Sequence, residues 1–196
     1  MIGQPIEECN VGNVEDLQRA GASFSALVTG TSADQLGDAT PCSEWDVRAL
    51  LNHVVTGTQW FTALVKGDPA PDRTIDQLGN DPAAAFDGAF ITFLSSLAQP
   101  GALEASYEFR TGPVSGERLA QMRTNEFMVH GWDLAQATGQ AVALPEELAP
   151  KCIALYTELM AGRPRDPGGA FGMEVPVGAD AAPIDRLVAY FGRVPS

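Results

Sequence analysis

Three residues of the sequence carry side chains suited to binding a divalent metal ion. Glu126 and His130 lie four residues apart, and His53 is the other of the two histidines in the chain. Residues four apart on a helix project from the same face, with Cβ atoms about 5–6 Å apart. Two imidazoles and one carboxylate, with a water in the fourth position, form a known catalytic zinc site. If the two segments are helices packed together, the chain holds a metal centre at His53, Glu126 and His130.

A second interpretation assigns the same residues to structure alone. His53 lies in an otherwise apolar stretch, and Glu126 and His130 share one helical stripe with Leu119 and Met122. A buried carboxylate needs a strong partner, because desolvating it alone is costly. That partner is a metal ion in one interpretation, and an arginine or a histidine in the other. The sequence leaves both open.

Two charged neighbours extend the constellation. Asp133 follows His130 by three residues, and it can accept the second ring N–H of His130 and so fix the metal-binding tautomer. Local hydrogen bonding is the alternative for Asp133. Arg123 precedes Glu126 by three residues. It is either an anion-binding group at the mouth of the site, with a catalytic role, or one half of a surface ion pair that contributes little.

Trp60 and Cys42 have weaker functional interpretations. Trp60 follows His53 by two helical turns and is placed to wall a pocket that binds a cofactor, although buried tryptophans usually belong to the core. Cys42 precedes the second predicted helix, where a thiol can be reactive, or it is a small buried apolar side chain.

Composition excludes several classes of function. The formal net charge is −13 with only 12 basic residues, which argues against a surface for nucleic acid or anionic membrane. No run of 18 apolar residues occurs, and the first residues lack a signal-peptide pattern. Cys9, Cys42 and Cys152 are widely spaced, so no disulfide framework is indicated. We therefore expect a cytoplasmic protein.

Hydrophobic periodicity predicts a helical chain. Helices are expected at 14–28, from a capping box at 43–46 to near Gly67, from 82 to a break at 99–101, from about 116 to 138, at 145–162 and at 184–191. Residues 102–115 fit a short strand or an extended loop, and 173–177 fit a short strand. The prediction is one all-α domain over 1–196, a four-helix bundle with one or two extra C-terminal helices.

Three segments carry a family resemblance: Thr-Pro-Cys-Ser-Glu-Trp-Asp-Val-Arg-Ala-Leu-Leu-Asn-His at 40–53, Glu-Phe-Met-Val-His-Gly-Trp-Asp-Leu-Ala-Gln-Ala-Thr-Gly at 126–139, and Asp-Arg-Leu-Val-Ala-Tyr-Phe-Gly-Arg-Val-Pro at 185–195. They resemble the N-terminal domain of mycothiol-dependent maleylpyruvate isomerase, one of the DinB-like metal-binding bundles. The resemblance implies Zn²⁺, or another divalent ion such as Ni²⁺, on His53, Glu126 and His130. It also implies mycothiol as cosubstrate, whose thiolate attacks an electrophilic carbon.

One departure from the isomerase bears on function. The resemblance implies a second, C-terminal domain with a substrate-binding arginine, whereas about thirty residues follow the fifth predicted helix here. We therefore expect the shorter branch of the family, using a thiol for S-transfer to, or isomerisation of, a small electrophile. The alternatives are a metal-dependent hydrolase with the same ligands and a non-catalytic binding module. The expected partners are small molecules only, and the expected state is a monomer or a homodimer.

Overall fold

The computed structural model describes residues 7–43, 45–165 and 172–195. Four long helices form its body: α1 (Glu7–Thr29), α2 (Val47–Lys66), α3 (Pro82–Leu97) and α4 (Gly116–Thr138). Both α1 and α2 pack against α3 and against α4. Two shorter helices, α5 (Ala149–Leu159) and α6 (Pro183–Tyr190), pack on each other and on α4. The predicted four-helix bundle with C-terminal helical additions is confirmed.

Local sequence signals account for the bounds of α4. Ser115 is the N-cap, and its side-chain oxygen accepts a hydrogen bond from the backbone N–H of Arg118 at 3.2 Å. Such a cap satisfies one of the free N–H groups of the first turn. The helix ends at Gly139, whose φ is 68°. Both ends agree with the sequence prediction, and α4 therefore carries Arg123, Glu126 and the residues that follow them on one continuous helix.

The predicted start of the second helix at residue 43 is wrong. The N-cap of α2 is Asp46, whose carboxylate accepts from the backbone N–H of Ala49 at 2.8 Å. Of the residues before it, the described ones, 41–43 and 45, form a turn instead of helix. In this turn the hydroxyl of Thr40 donates to the carbonyl of Trp45 at 2.7 Å, and Trp45 N–H donates to the carbonyl of Cys42 at 2.8 Å. The turn holds Cys42 and Trp45 beside the start of α2.

The remaining connections also refine the prediction. Residues 102–115 contain an antiparallel hairpin of β1 (Ser106–Phe109) and β2 (Gly112–Ser115), with Tyr107 opposite Val114. The fifth predicted helix is divided into a 3₁₀ turn at Glu146–Leu148 and α5. The strand expected at 173–177 does not form in the described part of the chain. There the N–H of Val175 donates to the carbonyl of Ala189.

The core is rich in phenylalanine. Phe24, Phe86, Phe90 and Phe127 form one cluster with ring centroids 4.8–5.7 Å apart, and each is at most 8% exposed. Burying such a side chain contributes about 1.5–3 kcal/mol. These rings join α1, α3 and α4 from within. The helix α2 packs in turn against both α3 and α4.

The structure tests part of the expectations about disulfides and about membrane-spanning segments. Cys42 and Cys152 are free thiols, and the side chain of Cys9 lies outside the described residues. The first six residues also lie outside them. Among the helices that the structure describes, none combines the length and the apolarity needed to cross a bilayer.

Candidate metal centre

The three predicted ligand residues meet between α2 and α4. His53 projects from α2, and Glu126 and His130 project from successive turns of α4. Nε2 of His53 lies 3.3 Å from Oε2 of Glu126, and Nε2 of His130 lies 3.6 Å from the same oxygen. One ligand atom from each residue lies within 4.8 Å of those of the other two. His53 and Glu126 are 73 residues apart in the sequence, and the packing of α2 on α4 brings them together.

The spacing of these atoms fits a divalent ion. Zinc holds nitrogen and oxygen ligands at about 2.0–2.2 Å in tetrahedral geometry, which separates neighbouring ligand atoms by roughly 3.3 Å. The two measured separations from Oε2 of Glu126, 3.3 and 3.6 Å, are close to that value. The residues present are therefore a suitable set of donors. His53 and Glu126 keep 25% and 24% of their side chains exposed, so a fourth ligand can approach from solution.

Asp133 lies behind His130, which is one of the two placements that the sequence left open. Its Oδ2 is 3.0 Å from Nδ1 of His130, and the carboxylate is fully buried. A carboxylate at Nδ1 places a proton on that nitrogen and directs the Nε2 side of the ring toward Glu126. The side chain thus occupies the position of an outer partner to the candidate metal centre.

Sequence reasoning missed Arg193, which completes this side of the site. Its guanidinium donates from Nε to Oδ1 of Asp133 at 3.1 Å and from Nη2 to Oδ2 at 2.8 Å. Nη2 also donates to Sγ of Cys42 at 3.0 Å. The only sequence signal was the presence of Arg193 in the closing motif at 185–195. Nothing in its local spacing links it to a residue sixty positions earlier.

Cys42, His130 and Asp133 also lie close enough to share a cation. Sγ of Cys42 is 3.3 Å from Oδ2 of Asp133. The guanidinium of Arg193 contacts both of these atoms, so a positive charge already occupies this side. Arg193 hydrogen-bonds these atoms directly at 2.8 and 3.0 Å, whereas the guanidinium of Arg123 lies 3.6 Å from Oε2 of Glu126. The group of His53, Glu126 and His130 is therefore the better candidate cation site.

Arg123 is not at the mouth of the site. Its side chain is 2% exposed and lies beneath Glu126, with Nη1 at 3.6 Å from Oε2. Nη2 donates to the carbonyl of Val54 at 3.2 Å and to the hydroxyl of Thr58 at 3.0 Å. A Cβ on Gly57 would lie 3.0 Å from Nη1, so glycine makes room on α2 for the guanidinium. The structure places Arg123 as a buried countercharge to Glu126.

The rings of Phe61 and Phe127 enclose the same guanidinium. Their centroids lie 5.3 and 5.0 Å from its central carbon, which is within the range of cation–π attraction. Nε of Arg123 has no hydrogen-bond partner among the described residues. A cation held this deeply depends on Glu126 for its nearest opposite charge.

The aromatic residue at the site is Trp45 instead of the predicted Trp60. The ring centroid of Trp45 lies 4.4 Å from that of His53 and 5.8 Å from that of His130. Trp60 has ring contacts with Phe61 and Phe109 at 5.4 and 5.5 Å, and it therefore packs toward the hairpin. The unexpected turn before α2 explains the difference, since it folds Trp45 over the imidazole.

Arg73, from the connection between α2 and α3, reaches the outer side of His53. Its Nη2 lies 3.4 Å from Nδ1 of His53, and the side chain is exposed. A guanidinium can only donate, so Nδ1 accepts and Nε2 carries the ring proton toward Glu126. A cation bound at Nε2 would require the proton on Nδ1 instead. Metal binding and the contact with Arg73 therefore exclude each other.

The charges of the site shift its pKa values strongly when no cation is bound. Burial alone would raise the pKa of Glu126, but the hydrogen bond from His53 and the charges of His130 and Arg123 outweigh it and hold that pKa well below its ordinary value. Burial opposes protonation of His130, yet hydrogen bonds with Asp133 and Cys42 raise its pKa to about 10. The proton on His130 therefore competes with a cation for Nε2.

Fold and site together define a class: helical-bundle proteins with a candidate metal centre of two histidines and one carboxylate between two long helices. The sequence profile of the mycothiol maleylpyruvate isomerase N-terminal domain matches residues 17–135. The chain belongs to this family. The matched span includes His53, Glu126, His130 and Asp133, whereas Arg193 lies beyond it.

Two relatives and one solved structure add to this assignment. The relatives are uncharacterised proteins of Mycobacterium tuberculosis, from strains CDC 1551 / Oshkosh and ATCC 25618 / H37Rv. Each is 36% identical over 180 residues, which covers 90% of this chain and 94% of the relative. The structure is a crystal structure of the mycothiol-dependent maleylpyruvate isomerase. It has a TM-score of 0.60 and 14% identity, and the match covers 77% of this chain and 68% of that one. That likeness supports the fold.

Proposed function

We propose that this chain is a divalent-metal-dependent enzyme that uses a low-molecular-weight thiol, mycothiol, for S-transfer to, or isomerisation of, a small electrophilic substrate. The observation that carries the proposal is the convergence of His53, Glu126 and His130 on one partly exposed position. Three protein ligands and an approach from solution are typical of catalytic metal sites, whereas structural sites usually have four protein ligands. The family supplies mycothiol as the expected thiol.

The protein residues have separate tasks in this proposal. His53, Glu126 and His130 would hold Zn²⁺ or another divalent ion such as Ni²⁺. Bound there, the ion supplies Lewis-acid chemistry that lowers the pKa of a coordinated thiol from about 8.5. Asp133 orients His130 through Nδ1, and Arg123 anchors the carboxylate of Glu126 from below. Trp45 covers the face of His53 and limits the access of water from that side.

The reaction balances without a further redox partner. The thiol releases its proton to solvent water, and the sulfur lone pair forms a bond to the electrophilic carbon. In S-transfer, the bond to the leaving group breaks and that group departs with its electron pair. In isomerisation of an activated double bond, the π electrons move to the conjugated carbonyl and the new single bond rotates. The electrons then return to re-form the double bond, and the C–S bond breaks with its electron pair on the departing thiolate. The thiol is consumed in the first case and regenerated in the second.

The decisive experiment compares metal and thiol requirements together. Protein stripped with chelator is reconstituted with one equivalent of Zn²⁺ or Ni²⁺ and incubated with a panel of electrophiles, with and without mycothiol. Product formation that needs both metal and thiol supports the proposal. Turnover that needs metal but no thiol indicates a hydrolase, and stoichiometric metal binding without turnover indicates a binding module. His130→Ala is the matched control for the site.

A further inference from the structure

Arg193 reaches the candidate metal centre from the segment after α6. Its side chain is 10% exposed and Asp133 is fully buried. The guanidinium and the carboxylate face each other with two parallel contacts, Nε to Oδ1 at 3.1 Å and Nη2 to Oδ2 at 2.8 Å. This two-point geometry is the strongest that an arginine and a carboxylate can make, and it fixes the plane of the carboxylate.

The backbone around Arg193 has a defined conformation that fixes where its side chain begins. Gly192 has a φ of 85°, and a Cβ at that position would lie 3.0 Å from Cα of Gly172 and 3.1 Å from the carbonyl oxygen of Met173. The N–H of Arg193 donates to the carbonyl of Val188 at 3.0 Å. Nη1 of Arg193 donates to the carbonyl of Phe191, also at 3.0 Å. The guanidinium is thus held by its own segment as well as by Asp133.

The two carboxylate oxygens of Asp133 differ in their partners. Oδ2 contacts His130 Nδ1, Arg193 Nη2 and Cys42 Sγ. Oδ1 accepts from Arg193 alone among the described residues. Without Arg193, a fully buried carboxylate would therefore have one oxygen without a donor. Among the described residues, the hydrogen bonds that oppose rotation of the carboxylate about its Cβ–Cγ bond would then remain only at Oδ2.

We propose that Arg193 is a positioning residue of the metal centre. It fixes the orientation of Asp133, which holds the Nδ1 proton of His130 and so aims the Nε2 lone pair at the metal position. The proposal rests on the proposed function for the identity of the ligand at Nε2. The chain of contacts from Arg193 through Asp133 to His130 is independent of any thiol chemistry. Lysine would not replace it fully, because an ammonium group cannot bridge both oxygens in one plane.

Arg165 supplies a matched control. It ties the same terminal segment to the body of the protein, donating from Nη1 to the carbonyl of Gly172 at 3.1 Å and to the carbonyl of Tyr190. Its guanidinium also lies 4.2 Å from the ring centroid of Tyr190. None of these contacts involves Asp133 or His130. Arg165→Met therefore loosens the segment without touching the site.

The test measures metal affinity and the His130 ring proton in parallel. Zinc affinity is measured by competition with a chromophoric chelator for the wild type, Arg193→Met, Arg193→Lys and Arg165→Met. Loss of an outer partner costs about 10- to 100-fold in metal affinity. We expect a loss of at most that size in Arg193→Met, because Asp133 remains but is no longer held in place, a smaller loss in Arg193→Lys, and none in Arg165→Met. Equal losses in Arg193→Met and Arg165→Met would show a merely structural role and overturn the proposal.

The second readout is independent of metal and of activity. With ¹⁵N-histidine labelling, only two imidazoles contribute signals. The Nδ1 proton of His130 is present in both the imidazolium and the Nδ1–H tautomer, so its downfield resonance can be followed in chelator-treated protein. We expect the resonance to be lost to solvent exchange in Arg193→Met and retained in Arg165→Met. A retained resonance in Arg193→Met also overturns the proposal, whereas a failed thiol assay leaves it intact.

Discussion

Replacing Glu126 by glutamine tests the candidate metal centre and its buried charge together. The amide keeps the size of the side chain and removes its negative charge. In the structure this charge lies 3.6 Å from the guanidinium of Arg123, which is 2% exposed. Glu126 is also the oxygen ligand of the candidate site. The variant should therefore lose metal binding and, separately, lose stability in the metal-free protein.

The expected magnitudes follow from these distances and exposures. Removing one partner of a fully buried ion pair costs 3–5 kcal/mol as a general order of magnitude, so roughly 1–3 kcal/mol is reasonable here. The expected loss of stability is smaller than for a fully buried pair because the Glu126 side chain is 24% exposed and lies 3.6 Å from Nη1 of Arg123. For metal affinity, the loss should exceed the roughly 10- to 100-fold that an outer partner contributes.

The stability difference should depend on pH with a definite sign. The pKa of Glu126 in the folded protein lies below its ordinary value of 4.5. The ionised carboxylate therefore stabilises the fold above pH 4.5, and this contribution is lost as the pH falls toward the lower, folded-state pKa. The denaturation curves of the wild type and Glu126→Gln should differ most near neutral pH and converge in acid.

The assay is urea denaturation of chelator-treated protein followed by circular dichroism, with zinc titration of the folded proteins in parallel. Glu108→Gln is the control, because it makes the same chemical change on an exposed residue of β1. If Glu126→Gln is as stable as the wild type at pH 7, Glu126 does not offset the charge of Arg123. If it binds zinc with wild-type affinity, the ligand assignment is wrong.

Four further outcomes are expected. His130→Ala should abolish tight metal binding while the bundle stays folded; full metal stoichiometry by elemental analysis would contradict the site. In cobalt-substituted protein, mycothiol or a simpler thiol should produce a sulfur-to-cobalt charge-transfer band, because three protein ligands leave a position open; an unchanged spectrum at saturating thiol favours the hydrolase or binding-module alternative. The rate of thiol conjugation should vary less between about pH 7 and 9 than the uncatalysed rate, since the reacting thiol is already deprotonated, and chelation should restore the background profile. Arg73→Ala should raise zinc affinity about two- to fivefold by removing a donor that competes for His53, whereas Arg110→Ala, an exposed change on the hairpin side, should leave zinc affinity unchanged.

The sequence by itself determined the helices of the bundle and the candidate ligand residues that α4 contributes. Apolar residues at helical spacing, Ser115 before α4 and Gly139 after it are local signals, and local hydrogen bonding and amphipathicity account for them directly. The four-residue spacing of Glu126 and His130 likewise places both side chains on one face of a helix. Asp133, one turn further along the same helix, follows from the same geometry.

Only the tertiary structure decided which distant residues join that face. His53 comes into register through the packing of α2 on α4, and Arg193 returns from the end of α6 to a carboxylate sixty residues earlier. The burial of Arg123 depends on the space left by Gly57, and the contact of Trp45 with His53 depends on the turn before α2. Helical periodicity predicts which residues share a face. Which faces meet depends on how the whole core packs, because contacts between distant segments produce no regular pattern of residues in the sequence.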